Sequence, residues 1–224
     1  MSSRRPKALS LVDAYLTNRP GKTRPRGVLY VTDLTKSCMR NAYLSIVQPS
    51  SFPVNTLRIF ESGNMIETWW VENVLKNTPD MKVLDTQTAC YYRDDMVNIH
   101  GRLDALCHHA NGRIVGHEVK SIKSAKYVIK SGAKDEHIHQ LQFYLNVLGV
   151  ELGQVDYLDK DVMLNGAELV DSVDHCFPQK RDDQVFTEMI TRARTLVGCI
   201  RGKSAPAEKG WLCDYCLYSE VCGE

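Results

Sequence analysis

The sequence predicts a mixed fold, α/β or α+β, built as one domain. Residues 82 to 122 run in short stretches rich in Val, Ile, Thr and Tyr, broken by Arg-Asp-Asp at 93–95 and Ala-Asn-Gly at 110–112, which reads as a three-strand antiparallel meander. The segments on either side carry apolar residues at three-to-four spacing, the period of a helix. Strands covered by helices make a layered α/β or α+β domain.

In chain order, a first helix is expected over Leu9–Asn18, followed by a loop at 19–27 whose two Pro and two Gly break any helix. A second helix starts near Thr32 or Asp33, either able to cap its free amides, and runs on through Val47. Ile59, Ile66, Trp69, Trp70, Val74 and Leu75 form the apolar stripe of a third helix over Leu57–Leu75. After the meander come a short helix near Ser121–Lys130, ending before Gly132, and a longer one over Glu136–Leu148, stopped by Gly149. A strand follows at Val155–Leu158. The last helix spans Asp182–Ile200, with Phe186, Ile190, Ala193, Leu196 and Val197 on one side.

A chain of 224 residues suffices for one substantial core and is short for two domains with a linker. Its 25% charged and 43% hydrophobic residues exclude disordered and fibrous classes. With 28 Lys and Arg against 27 Asp and Glu, an anionic partner must be held by a local patch and not by the overall field. No apolar run reaches the length of a membrane span, and residues 1–16 lack the apolar core and cleavage site of a secretory signal. The expectation is a soluble cytoplasmic protein without a membrane partner, in which eight cysteines serve as thiols or metal ligands and not as disulfides.

The informative stretch is Ile99–Ile122. Glu118 and Lys120 stand two apart on a strand, so both emerge on one face. Asp104 lies on the partner strand, and register decides whether it joins them. A two-residue turn at Asn111-Gly112 sets 104 opposite 119 and points Asp104 away; a three-residue loop or a bulge sets it opposite 118. Carboxylates directly across two strands repel. A divalent cation resolves that repulsion, because carboxylate oxygens are hard donors suited to Mg²⁺ or Mn²⁺. A neighbouring lysine can orient or deprotonate water, or stabilise charge on a phosphate. Gln140 and Tyr144 are four apart on the following helix and face one way, within reach of a substrate. Gly63 and Glu67 are likewise four apart, and Glu67 can supply a third carboxylate.

In these residues the chain resembles the RecB-like branch of the PD-(D/E)xK nucleases: Gly-Arg-Leu-Asp-Ala-Leu at 101–106, His-Glu-Val-Lys-Ser at 117–121 and Gln-Leu-Gln-Phe-Tyr at 140–144. The resemblance implies a restriction-endonuclease-like core with a mixed central sheet flanked by helices. It makes Asp104 and Glu118 metal ligands, Lys120 catalytic, and Gln140 and Tyr144 the motif that follows. Where that branch often has a metal-binding histidine after Gly-x-x-x, this chain has Glu67, an oxygen donor also competent for a hard cation.

Near the C-terminus Cys213, Cys216 and Cys222 form a Cys-x2-Cys-x5-Cys run, and Cys38 sits in a polar context near a helix start. Three ligands leave one position of a tetrahedral site open. Four cysteines can hold Zn²⁺ or an iron-sulfur cluster, and spacing alone does not choose. One N-terminal cysteine, a nuclease core and a C-terminal triplet are together similar to the iron-sulfur RecB-type nucleases, and most of all to the CRISPR-adaptation exonuclease family called Cas-four. Related modules occur in AddB-type repair nucleases and in phages. That resemblance implies a cluster on Cys38, Cys213, Cys216 and Cys222, of the four-iron more than the two-iron kind, which would join the N- and C-terminal segments.

The resulting division is 1–56 for the N-terminal helices with the first cysteine, 57–200 for the nuclease core and 201–224 for the triplet. Lys123, Lys126 and Lys130 follow Lys120 on one helical face, a basic stripe suited to a phosphate backbone. The sequence therefore reads as a metal-dependent DNA exonuclease acting on DNA ends, single strands favoured, with CRISPR adaptation proteins as candidate partners and the oligomeric state open. The rivals are a non-catalytic DNA-binding iron-sulfur subunit and a zinc-ribbon interaction protein.

Overall fold

The computed structural model describes residues 7–20, 23–165 and 175–222. The chain opens with α1 (Ala8–Asn18), β1 (Leu29–Tyr30), α2 (Val31–Leu34), α3 (Met39–Val47) and α4 (Val54–Trp69), which runs on through a π turn (Trp70–Val74) and a 3-10 turn (Leu75–Asn77). Then come β2 (Met81–Arg93), β3 (Asn98–His109), β4 (Ile114–Ile122), α5 (Lys126–Ser131), α6 (Asp135–Leu148), β5 (Leu152–Asp159), α7 (Lys160–Asn165), β6 (Cys176–Lys180) and α8 (Asp183–Gly202). A 3-10 turn (Trp211–Tyr215) and α9 (Ser219–Cys222) end it.

The expected meander is β2-β3-β4, antiparallel throughout. β5 adds parallel to β4, and β6 pairs antiparallel with β5 at the edge, where Pro178 costs no ladder hydrogen bond. β1 pairs parallel with β3, giving a mixed six-stranded sheet. Neither β1 nor β6 is legible in the sequence, because two and five residues are too few to show a period. β4 and β5 are buried on both faces. On one face Leu141, Phe143 and Leu145 of α6 and Leu196 of α8 pack on Leu103 and Val155. On the other, Val71 and Leu75 pack on Ala105, Cys107, Val119 and Leu158. Each of these aliphatic side chains contributes about 1.5–3 kcal/mol by leaving water.

The helix expected from Thr32 through Val47 is in fact two. Asp33 is not its cap: it is the third residue of α2, where its carboxylate accepts the Tyr30 N–H at 2.8 Å and binds the Arg24 guanidinium. The chain then leaves the helix. The Lys36 carbonyl accepts from Arg192 of α8, and Cys38 is extended (φ −98°, ψ 124°) as the cap of α3. A tertiary hydrogen bond thus interrupts a segment whose own spacing is helical. The short helix after the meander starts later than expected, since β4 persists to Ile122. Asp159, at the end of β5, accepts the Ala125 N–H at 2.6 Å and so anchors the start of α5.

One edge of β3 is shared by two short neighbours. β1 takes Ile99 and His100, β4 takes residues 105–108, and residues 101–104 between them have neither. Gly101 lies in this fork, where a β-carbon would stand 2.5 Å from Tyr144 Cε1 and 2.6 Å from Val31 Cγ2. Gly101→Ala is therefore expected to lower stability by about 1–3 kcal/mol through overpacking, read as a reduced midpoint in urea unfolding.

Candidate active site

A three-residue loop, Ala110-Asn111-Gly112, joins β3 to β4. Gly112 takes the left-handed conformation (φ +79°) that closes it, and the His109 N–H donates to the Arg113 carbonyl at 2.9 Å. The register follows: His108 faces Ile114, Ala105 faces His117, and one step on Asp104 comes opposite Glu118. There the two strands part. The Val119 N–H, having lost a carbonyl partner on β3, donates instead to Asp104 Oδ2 at 2.8 Å.

Glu118 is only 1% exposed. Its Oε1 lies 2.6 Å from Lys120 Nζ, while its Oε2 is buried with no hydrogen-bond partner. Burial pushes its carboxyl up to about 8 against the opposing charge of Lys120, with Asp104 and Glu67 adding to the rise. Burial also raises Asp104 and Glu67. Burial works against the Lys120 ammonium, yet Glu118, Asp104 and Glu67 hold it charged with its pKa above the ordinary value. One lysine thus lies in the field of three carboxylates drawn from β3, β4 and α4. Glu67 reaches this place because α4 runs close over β4: a β-carbon at Gly63 would stand 3.4 Å from Ser121 Oγ.

Tyr144 is 2% exposed and its hydroxyl accepts from Gln140 Nε2 at 3.0 Å. Burial, then the charge of Glu118, drives its phenol well above the ordinary range, so it stays neutral. Lys126 and Lys130 lie on α5 and are exposed. Lys123 is exposed too, but it precedes the helix, so the three do not form one helical face.

Three residues near this site escaped the sequence reading. Gln87 stands opposite Asp104 on β2, donates to Asp104 Oδ1 at 3.1 Å and has φ +53°, a left-handed backbone that costs about 1–3 kcal/mol in a non-glycine residue. Thr-Gln-Thr in a strand gives no signal of this. Lys160, at the start of α7, puts its charge on Glu67. His137, on α6, is pushed down to about 3 by burial and by Lys120, so it is neutral.

The cysteines of the expected cluster, Cys38, Cys213, Cys216 and Cys222, are each half-buried. Among the described residues no three His, Cys, Asp or Glu side chains are disposed to hold a metal ion. The C-terminal segment is tied to α3 by hydrogen bonds. Arg40 donates to the Ala205 and Cys222 carbonyls at 2.9 and 3.2 Å, and Asn41 Nδ2 donates to Cys216 Sγ at 3.2 Å. The Gly210 N–H reaches Cys213 Sγ at 3.4 Å.

The donor sets fit the groups the sequence suggested, although neither set is closed. Asp104, Glu118 and Glu67 are hard oxygen donors, and Glu118 Oε2 is a buried acceptor without a partner, which suits Mg²⁺ or Mn²⁺. N–H donation to Cys213 and Cys216 suits thiolate ligands, whose properties such hydrogen bonds tune. On the opposite face, His117 and His109 meet nitrogen to nitrogen at 3.1 Å with ring centroids 5.4 Å apart, and His117 Nδ1 is 2.8 Å from Asp156. These imidazoles aim at each other, a hydrogen-bonded pair.

The family described as the PD-(D/E)XK nuclease superfamily matches residues 31–223. No curated protein matches the sequence. Among solved structures, that of SSO0001 superposes with a TM-score of 0.64 at 19% identity, covering 96% of this chain and 95% of the other. LHK-Exo in complex with dAMP gives 0.56 at 16% identity, over 96% and 99%. An alkaline exonuclease (LHK-Exo) from Laribacter hongkongensis gives 0.53 at 15%, over 79% and 89%. At these identities the likeness is one of fold. No helix among the described residues is long and apolar enough to cross a membrane.

The raised Glu118 carboxyl sets a pH dependence. Between its ordinary value of 4.5 and about 8 the folded state binds more protons than the unfolded one, so this contribution to stability falls as pH rises through that window. Thermal melts in EDTA should show the decline in the wild type and a flatter profile in Glu118→Gln.

Proposed function

The chain belongs to the PD-(D/E)XK nuclease superfamily, and on that premise we propose that it is a metal-dependent deoxyribonuclease, an exonuclease that trims or degrades DNA ends with single strands favoured. The observation that carries this reading is Glu118: a buried carboxylate opposite Asp104, with one oxygen held by Lys120 and the other without a protein partner. The alkaline exonuclease activity named for LHK-Exo supports the choice of an exonuclease.

In this reading Asp104 and Glu118, with Glu67 as a third donor, hold Mg²⁺ or Mn²⁺. The ion supplies a more acidic water and neutralises charge developing on the phosphate. Lys120, kept charged and oriented by Glu118, assists the attack of water on phosphorus. Asp104 is oriented by the Val119 N–H at Oδ2 and by Gln87 at Oδ1. Gln140 orients Tyr144, and the pair positions the strand. Exposed Lys123, Lys126 and Lys130 hold backbone phosphates beyond the site.

We extend the reading to an iron-sulfur cluster on Cys38, Cys213, Cys216 and Cys222, four-iron more than two-iron. The ties from Arg40 and Asn41 to the C-terminal segment support it, since those residues follow Cys38 by two and three positions. The order of the cysteines in the sequence is what supports a CRISPR-adaptation setting over a repair or phage one.

Asp104→Ala, Glu118→Ala and Lys120→Ala should each abolish Mn²⁺-dependent degradation of an end-labelled oligonucleotide while far-ultraviolet circular dichroism stays unchanged; retained degradation in all three would overturn the assignment. Anaerobically purified protein should be brown, and Cys38→Ala should lose iron and thermal stability while Cys90→Ala keeps the colour. Iron analysis with visible absorption checks this.

A further inference from the structure

Beside the carboxylates lies a larger cleft, of about 770 Å³, walled by the α2–α3 connection, α5, the start of α6, α8 and the 3-10 turn at Trp211. Such a volume falls in the range of about 300–1,000 Å³ that accepts a ligand the size of a nucleotide. Two large aromatic side chains line it and are mostly exposed, Tyr127 at 65% and Trp211 at 75%. Neither side chain is part of the described core, and each presents ring surface to the cleft. The ring of Trp211 meets that of Tyr215 edge to face, with centroids 6.3 Å apart.

The cleft is linked to the candidate active site through Lys134 and Tyr157. The Lys134 N–H, on its floor, donates to the Tyr157 hydroxyl at 3.0 Å, and Tyr157 is the neighbour of Lys120 in the β4–β5 register. His139 in the wall adjoins Gln140. Charge in the cleft is nearly balanced: Lys36, Lys134 and Arg192 stand against Asp135 and Glu136. Phosphate attraction therefore cannot supply most of any affinity here, whereas exposed rings can.

From this arrangement we infer that the cleft binds a single-stranded stretch of the DNA, with bases stacked on Tyr127 and Trp211. The inference rests on the nuclease reading for its substrate class and adds where the strand lies next to the active site. Stacking needs unpaired bases, so the cleft discriminates against duplex. It also makes this contact less sensitive to salt than the lysines of α5, since it releases few counterions.

Binding of dye-labelled oligo(dT) and of a duplex to the full chain, followed by fluorescence anisotropy in EDTA, tests this apart from cleavage. Trp211→Ala and Tyr127→Ala should each weaken oligo(dT) binding by roughly 5- to 150-fold, the span reported for one stacked base, with duplex binding unchanged. Trp211→Phe and Tyr127→Phe keep a ring and should retain most of the affinity, which separates stacking from damage to the fold. Removing Lys123, Lys126 and Lys130 should instead flatten the salt slope by about 0.7 log units per lost contact. Alanine variants that bind oligo(dT) like the wild type, or that lose single-strand and duplex binding alike, would overturn the inference. A wild-type protein that fails to cleave in Mn²⁺, yet binds oligo(dT) through these rings, would remove the nuclease reading and leave the cleft assignment standing.

Discussion

Taking a carboxylate out of water costs several kcal/mol even after the surroundings relax, and Glu118 is buried with half of its acceptors unpartnered. The local architecture serves to hold it there. The three-residue loop sets the register that brings Asp104 across from it, the fork in β3 frees the Val119 N–H to fix Asp104, and the close pass of α4 delivers Glu67. Lys120 offsets part of the repulsion among the three acids. The same side chain that assists chemistry therefore also lowers the repulsion within the site.

Much of this was legible in the chain because it depends on local rules. Stretches rich in Val, Ile, Thr and Tyr between turn residues gave β2 to β4, and the register problem at Asn111-Gly112 could be posed from turn geometry alone. Glu118, Lys120 and Asp104 could be grouped because strand period is a strict two. Other features depend on contacts between distant segments and leave no local trace. The break between α2 and α3 is made by Arg192, over 150 residues away in the chain. Gln87 became visible only when β2 was laid against β3, and Lys123 fell off the helix because β4 continued pairing with β5. The resemblance carried by the cysteines pointed to a meeting of the N- and C-terminal segments, and in the fold hydrogen bonds from Arg40 and Asn41 tie those two segments together.

The walls of the cleft are drawn from both the N-terminal and the C-terminal segments. The C-terminal segment that carries the cysteines also carries Trp211, and the α2–α3 connection that leads to Cys38 carries Lys36, whose ammonium donates to Ser45 Oγ at 2.6 Å. Whatever stiffens the junction between these segments sets the width of the cleft, since its walls are drawn from both. Arg192 of α8 ties the first of these segments by donating to the Lys36 carbonyl.

The bond from Arg40 to the Cys222 carbonyl spans 182 residues of sequence. During synthesis at about 5–20 residues per second, α3 waits on the order of ten seconds or more before that partner has been made. For this interval α3 lacks the hydrogen bonds that Arg40 makes to the Ala205 and Cys222 carbonyls. The topology therefore leaves the N-terminal segment without this support until residue 222 has been made.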